Sequence, residues 1–236
     1  MRTLSTLLSL GLAFTVAIAS PAFSEDKAKP FTDSTEVNLA TILPPPPAND
    51  SMRTKQEIGE LLSVQVTRTP EMEARAKADA EETIWRFADV VDNAKFNQEN
   101  LPKFSAFFDR IIATEPAVTD AAKNTWKRPR PHILYPDLVK PVVPLSKSGS
   151  YPSGHTTIGT LMAIVLADML PEKRDAIMAR GWEFGWNRVV GGIHYPTDIE
   201  AGRLSAVAIA QAIRGHDDYK AEYAAAKDEL RADLGL

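Results

Sequence analysis

Apolar residues recur along this chain at helical spacing, and almost no stretch shows the period-two alternation of a half-buried strand. The clearest helix covers Thr157–Leu170, where apolar residues fall at i, i+3, i+4, i+7, i+8 and i+11. These residues are Ile158, Leu161, Met162, Val165, Leu166 and Met169. The pattern predicts an all-α fold, a single-domain helical bundle.

Further helices are predicted from their start signals and apolar stripes. Thr69-Pro70 has a capping threonine and a proline at the first helical position. The helix that it opens is predicted to carry one buried stripe: Ala80, Ile84, Phe87, Ala88 and Val91. Separate helices are predicted over 103–114 and 117–128, followed by 172–190, 196–214 and a last surface helix after His216.

The start of the chain has the three-part layout of a secretory signal peptide. A positive Met1-Arg2 precedes an uncharged apolar run, and Ala22-Phe23-Ser24 offers small residues before a cleavage point. We therefore expect a signal peptide over 1–24, a proline-rich N-terminal arm over 25–50 and one helical domain over 51–236. Export of this kind indicates a periplasmic protein.

Composition narrows the function classes. The net charge is −4, so the chain lacks the broad positive surface that nucleic-acid binding requires. There is no cysteine, which excludes disulfides and thiolate metal ligands. No stretch after the signal approaches the roughly 20 apolar residues of a membrane span. We expect a soluble protein without nucleic-acid partners or stable membrane insertion.

Two segments carry candidate anion-binding groups. Lys123 and Arg130 are separated by six residues, so a helix or near-helix would place them on one side. Taken alone, they are typical of a solvated basic helix end. Gly149–Thr156 lies directly before the strongest helix, where small residues allow backbone N–H groups to converge on an anion. Taken alone, this segment fits a capped helix start equally well.

A third segment combines an arginine with a histidine–aspartate pair. Arg188 continues the apolar stripe of its helix, and a buried guanidinium needs an anionic partner. His194 follows a Gly-Gly turn, and Asp198, four residues later, is placed to orient its ring. A lone pair of this kind is more often a structural hydrogen bond. Together, however, the three segments supply cations, neutral donors and two histidines, which phosphoryl transfer requires.

These residues resemble the type 2 phosphatidic acid phosphatase superfamily, whose signature is Lys-x6-Arg-Pro, Pro-Ser-Gly-His and Ser-Arg-x5-His-x3-Asp. The chain has the same spacings in Lys123-x6-Arg130-Pro131, Pro152-Ser153-Gly154-His155 and Asn187-Arg188-x5-His194-x3-Asp198. Within the superfamily, Gly149–Thr156 resembles the signature of bacterial class A non-specific acid phosphatases. The departure is Asn187 in place of serine, and asparagine can still donate a hydrogen bond.

The resemblance implies a helical bundle of the type 2 phosphatidic acid phosphatase and vanadium haloperoxidase kind. It also implies that His194 attacks phosphorus to form a phosphohistidine, that Asp198 holds the other ring nitrogen, and that His155 protonates the leaving oxygen. The implied ligands of the phosphoryl oxygens are Lys123, Arg130, Ser153, Gly154 and Arg188. No metal or other cofactor is implied. An acid optimum is expected, because His155 must be protonated and an ordinary histidine titrates near ~6.5.

Alternatives share parts of this signature. Vanadium haloperoxidases use the same site but are longer, and membrane lipid phosphatases need several spanning helices. A non-catalytic periplasmic anion-binding protein would not require His155, His194 and Asp198 together. Small phosphomonoesters are the expected substrates, and phosphate transfer to alcohols and a homo-oligomer are further expectations from the resemblance. Lys127-Arg128 is expected to flank the mouth of the site and attract dianions.

Overall fold

The computed structural model describes residues 28–236, and this part of the chain contains no β-strand. The predicted signal peptide over 1–24 lies outside the described residues. Within them the α-helices are α1 (Leu39–Ile42), α2 (Met52–Thr67), α3 (Pro70–Ala78), α4 (Ala88–Val91), α5 (Pro102–Trp126), α6 (Pro131–Leu134), α7 (Gly154–Met169), α8 (Arg174–Val190), α9 (Pro196–Ile213) and α10 (Asp217–Leu234). The predicted all-α bundle is confirmed.

The strongest predicted helix, α7, is the centre of the bundle. It packs against α8, α9 and α5, and nearly every one of its positions is buried. Helices α7 and α8 approach closely at Gly181, where an added Cβ would lie 2.5 Å from the Cβ of Ala163. A helix that is apolar on all sides is stable only when it is surrounded in this way.

The predicted break near Pro116 is wrong. Helix α5 is continuous from Pro102 to Trp126 with Pro116 inside it. Its buried side chains lie on both sides of the proline, from Phe108 to Val118, so packing against the core outweighs the backbone hydrogen bond that proline removes. The helix ends where Lys127 adopts a left-handed conformation, with φ 47°.

The predicted continuation of the Thr69-Pro70 helix towards Val91 is also wrong. Helix α3 ends at Ala78, and a 3₁₀ turn over Ile84–Phe87 leads into the short α4. The fully buried carboxylate of Asp79 accepts hydrogen bonds from Arg86, Arg180 and Asn187. These contacts stop the helix at a point where periodicity alone predicted none.

Residues 28–50 lie against the helical body. Phe31 is buried, and its backbone N–H donates to Thr114 Oγ1 of α5 at 2.9 Å. The hydroxyl of Tyr151 donates to the carbonyl of Pro44 at 2.7 Å, which ties the proline-rich stretch to the loop before α7. None of the helices in residues 28–236 combines the length and the apolar character that crossing a bilayer requires.

Four helix ends meet on one side of the bundle. The backbone N–H of Ser153, which caps α7, donates to the carbonyl of Asp198 in the first turn of α9 at 3.0 Å. The N–H of Ser150 donates to the carbonyl of Arg128, just beyond α5, at 2.9 Å. These bonds bring the starts of α7 and α9 beside the ends of α5 and α8, where the three sequence motifs lie.

Candidate active site

A pocket of about 280 Å³ opens between these helix ends. Six of the eight predicted site residues line it: Lys123, Arg130, Gly154, His155, Arg188 and His194. The loop over 144–148 also contributes to its walls, as do Ala80 and Glu82 from the segment after α3. Of the other two predicted residues, Asp198 lies behind His194, and Ser153 lies one residue before the lining.

His194 is held by a partner on each ring nitrogen. Nδ1 donates to Asp198 Oδ2 at 3.2 Å, and Nε2 lies 2.9 Å from a terminal guanidinium nitrogen of Arg130. A carboxylate can only accept and a guanidinium can only donate, so the proton is on Nδ1 and the lone pair is on Nε2. The side that carries the lone pair is the side that faces the pocket's cations.

Burial and charge keep this imidazole neutral. The pKa of His194 is well below its usual range, first because the ring is desolvated and then because Arg130, Lys123, His155 and Arg188 lie nearby. A neutral ring keeps the Nε2 lone pair available for nucleophilic attack. The electrostatics of the pocket therefore favour the reactive form of this histidine.

The carboxylate of Asp198 is fully buried and has several donors. Oδ2 accepts from Ser150 Oγ and from the N–H of Tyr195, and Oδ1 accepts from Arg128 at 2.6 Å. Burial raises the pKa of Asp198, and Arg128, Ser150 and Tyr195 oppose that rise. The donors fix the carboxylate against Nδ1 of His194.

Arg128 corrects one prediction from the sequence. It does not flank the mouth: its side chain is 1% exposed and bridges Asp198 to Glu57, whose Oε2 lies 2.9 Å away. Only Lys127 is exposed. An arginine with two carboxylate partners is stable in the interior, whereas a lysine at the helix terminus remains in solvent. Arg128 thus supports the carboxylate that supports His194.

The two other arginines of the motifs face the pocket without carboxylate partners among residues 28–236. Arg130 donates to the carbonyls of Ser148 and Ile193 and to His194. Arg188 donates to the carbonyl of Ala76, and its Nε is fully buried with no hydrogen-bond partner in the described part of the chain. Burial lowers the pKa of Arg188 to about 10. A buried guanidinium with an unused donor is suited to an anionic ligand.

Lys123 and Gly154 meet at a carboxylate that the sequence did not indicate. Lys123 Nζ lies 3.4 Å from Glu115 Oε1, and both side chains are buried. A Cβ at Gly154 would lie 2.6 Å from that oxygen and 2.8 Å from Nζ, so a larger residue here would displace the carboxylate and the ammonium group. Glycine at this position therefore leaves room for the Lys123–Glu115 pair.

Ser153 and Asn187 have structural contacts. The Ser153 hydroxyl accepts from the N–H and the hydroxyl of Thr156, as a helix cap does. Asn187 does not line the pocket but donates to Asp79 Oδ2 at 2.7 Å. The asparagine that stands in place of serine therefore ties α8 to the end of α3. The same end of α3 holds Ala76, whose carbonyl accepts a hydrogen bond from Arg188.

His155 also lines the pocket and is partly exposed. Its Nδ1 is 2.9 Å from Glu82 Oε1, and its Nε2 is 3.1 Å from the carbonyl oxygen of Ala80. The Phe184 ring stacks on it at a centroid distance of 6.2 Å. The two histidines thus line one pocket together with Lys123, Arg130 and Arg188, and phosphoryl transfer requires groups of these kinds.

Sequence reasoning missed four carboxylate or hydroxyl residues: Glu57, Glu82, Glu115 and Ser150. Glu57 is 141 positions before Asp198, and nothing local distinguishes it from other helical glutamates. Its position on the inner face of α2 was the available signal. In residues 28–236 no three histidine, aspartate or glutamate side chains are grouped to hold a metal ion.

Comparison with known proteins matches these elements to one superfamily. Residues 110–219 match the PAP2 superfamily. The non-specific acid phosphatase of Salmonella typhimurium is 33% identical over 198 residues, which covers 80% of this chain and 79% of that protein. An acid phosphatase of Zymomonas mobilis is 37% identical over 136 residues, covering 55% and 50%.

The fold is also found in a solved structure. A transmembrane PAP2 type phosphatidylglycerolphosphate phosphatase from Bacillus subtilis superposes with a TM-score of 0.50 at 18% identity, over 78% of this chain and 92% of that one. At this identity the likeness concerns the fold alone. On the strength of the Salmonella relative and the matched region, which contains all three motifs, the chain belongs to the PAP2 superfamily and groups there with the non-specific acid phosphatases.

Proposed function

We propose that this enzyme is a secreted acid phosphatase that hydrolyses phosphate monoesters through a covalent phosphohistidine at His194. One observation carries the proposal: the neutral Nε2 of His194 faces a pocket with Lys123, Arg130 and Arg188 in its lining, while Nδ1 is fixed by Asp198. An anion-binding protein needs the cations but has no use for an oriented nucleophile.

In the first step the Nε2 lone pair of His194 attacks phosphorus, and the bond from phosphorus to the ester oxygen breaks. His155, which lines the same pocket, gives a proton to the leaving oxygen, so that an alcohol departs. The new N–P bond leaves a positive charge on the imidazole, and the carboxylate of Asp198, 3.2 Å from Nδ1, stabilises it.

In the second step a water molecule attacks phosphorus, and the N–P bond breaks with its electrons returning to Nε2. His155, now neutral, takes the proton of that water, and inorganic phosphate leaves. An alcohol in place of water would give a new ester by the same step. Transfer to alcohol acceptors is therefore part of the proposal.

The cations act on the phosphoryl oxygens. Lys123 and the two guanidinium groups of Arg130 and Arg188 surround the space in front of Nε2, and the N-terminus of α7 at Gly154 adds a positive dipole end. Their charges are already in place before the substrate arrives, so little reorganisation accompanies the transition state. The pocket suits one phosphate group with a small part of its ester.

The first experiment measures p-nitrophenyl phosphate hydrolysis by the purified protein, with EDTA present, from acid to neutral pH. We expect turnover on the acid side that EDTA does not change, and a phosphoenzyme that is stable to base and labile to acid. His194→Ala should lower the rate by at least about a thousandfold with unchanged helical circular dichroism.

His216→Ala is the matched control, because His216 lies on the outside of the bundle and bonds to Glu36. It should retain full activity. Turnover by His194→Ala comparable to that of His216→Ala would remove His194 as the nucleophile. For export, cleavage after residue 24 in a secreting host is expected, and an uncleaved product would contradict it.

A further inference from the structure

The partners of His155 define its protonation state. Nδ1 faces a carboxylate oxygen of Glu82 at 2.9 Å, and Nε2 faces the carbonyl oxygen of Ala80 at 3.1 Å. Both partners can only accept hydrogen bonds, so both ring nitrogens must donate. This geometry fits the doubly protonated imidazolium and neither neutral tautomer, in contrast to His194.

Glu82 supplies the counter-charge for this ring. It lies in the turn between α3 and the 3₁₀ segment, lines the pocket, and bonds to no side chain other than His155 in residues 28–236. Burial opposes ionisation of Glu82, but His155, Lys123 and Arg188 hold its pKa below the usual range. These cations therefore favour the charged form of the Glu82 carboxylate.

We propose that Glu82 is the positioning residue of the general acid: it holds His155 protonated and aims its Nε2–H at the leaving oxygen. The inference rests on the proposed function and adds a residue that lies outside all three motifs. Nδ1 remains bound to Glu82 while Nε2–H exchanges the Ala80 carbonyl for the ester oxygen. After transfer, the neutral ring keeps its Nδ1 proton towards Glu82, so that the proton count balances.

Every charged group that faces the pair acts in a definite direction. On the walls around His155, Lys123 from α5, Arg130 and Arg188 disfavour a second positive charge, and His194 is neutral. Glu115 is occupied by Lys123 and Thr119. Phe184 covers one ring face without charge. Glu82 is thus the carboxylate in direct contact with His155 that offsets three cations.

The test compares leaving groups in Glu82→Gln. p-Nitrophenolate is a good leaving group that depends weakly on protonation, whereas the alkoxide of ethyl phosphate needs a proton, so the second ester depends far more strongly on a working general acid. At about pH 6 we expect kcat for ethyl phosphate to fall about tenfold or more and kcat for p-nitrophenyl phosphate to change by less than about threefold. The alkaline fall of the ethyl phosphate rate should begin at lower pH than in the wild type.

Two variants complete the design. Glu81→Gln alters the exposed neighbouring glutamate and should match the wild type with both esters. Glu82→Asp keeps the charge and should restore part of the ethyl phosphate rate. Equal losses with both esters in Glu82→Gln, or no loss with either, would overturn the positioning role.

A second measurement separates this inference from the proposed function. The ¹⁵N chemical shifts of the His155 ring, recorded during a pH titration, need no turnover. In Glu82→Gln the ring should lose its proton at lower pH than in the wild type, and an unchanged titration would overturn the proposal even in an active enzyme. Absence of phosphatase activity in the wild type would instead remove the proposed function.

Discussion

The two histidines of the pocket are supported in opposite ways. His194 is 2% exposed and lies in a network of buried charges that extends through Asp198 and Arg128 to Glu57 on α2. His155 is partly exposed, and its side-chain partner comes from a turn outside the regular helices. One ring is neutral and the other has acceptors on both nitrogens.

This difference fits the role proposed for each histidine. A nucleophile must keep one tautomer and one orientation. A buried hydrogen-bond network fixes both before the substrate binds, so little entropy is lost during the reaction. A general acid must exchange one hydrogen-bond partner for the leaving oxygen, which a contact at the pocket wall permits. The same site thus combines a rigidly held His194 with a His155 whose contact can be exchanged.

The largest expected effect comes from removing Arg128 from the buried network behind His194. Arg128→Ala would leave the carboxylates of Glu57 and Asp198 buried without their cation. Removing one partner from such a buried network destabilises a protein by about 3–5 kcal/mol. The free energy of unfolding should fall by that amount in urea titrations.

The exposed neighbour provides the control for that variant. Lys127→Ala removes the adjacent charge, and the free energy of unfolding should change by no more than about 0.5 kcal/mol. Equal stability of the two variants would mean that Arg128 is not the support of Asp198.

A smaller effect is expected at Arg188, which lines the pocket together with both histidines. Arg188→Ala removes a donor that has no protein partner at Nε within the described residues. Inhibition by inorganic phosphate should weaken about 10- to 100-fold, the equivalent of about 1.5–3 kcal/mol for hydrogen bonds to a charged group. Arg188→Lys, which keeps the charge but loses the planar fork, should recover only part of the affinity. An unchanged inhibition constant in Arg188→Ala would show that this arginine does not bind the anion.

The smallest effect is a difference in titration among histidines. Burial and then Arg130 lower the pKa of His132, and the hydrogen bond to Glu36 raises the pKa of His216. The pKa of His194 is well below the usual range. Among these three histidines, on lowering the pH, His216 should therefore gain its proton first and His194 last, as measured by ¹⁵N-edited NMR of the ring signals.

The sign of the linked stability follows from the same shift. Unfolded His194 binds a proton near ~6.5, and the native ring does so only at lower pH. The unfolded state therefore binds more protons between those two values, and His194 lowers the stability as the pH falls through that window. Protonation of His194 before His216 would contradict the neutral buried nucleophile.

The helices that were predicted well are those in which local pattern and tertiary environment agree. The apolar run before Met169 becomes the buried α7, and proline starts α9 at residue 196 as expected. Pro116 and Asp79 show the opposite case. The buried face of α5 overrides a helix breaker, and a buried ion cluster ends α3 inside an unbroken apolar stripe. Neither effect is visible within a window of one helix.

The candidate site likewise contains residues that the sequence predicted and residues that only the structure revealed. The match to the superfamily signature selected Lys123, Arg130, Arg188, His155 and His194, which all line the pocket. Glu57, Glu82 and Glu115 act through contacts between elements far apart in the chain, and a glutamate on a helix or turn looks the same whether it faces solvent or an arginine. The sequence likewise does not distinguish a buried arginine from an exposed one, and Arg128 was therefore expected at the mouth of the pocket.

By itself, the sequence determined the helical class, the central helix and the three motifs whose residues meet at the pocket, because periodicity and motif spacing are local properties of the chain. Only the tertiary structure decided which charges are buried together. It placed Arg128 and Glu57 behind His194 and Glu82 beside His155. It also buried the His194 ring near Arg130 and Lys123, which lowers the pKa of that ring. Protonation depends on desolvation and on neighbours within a few ångströms, and those exist only once the helices have packed.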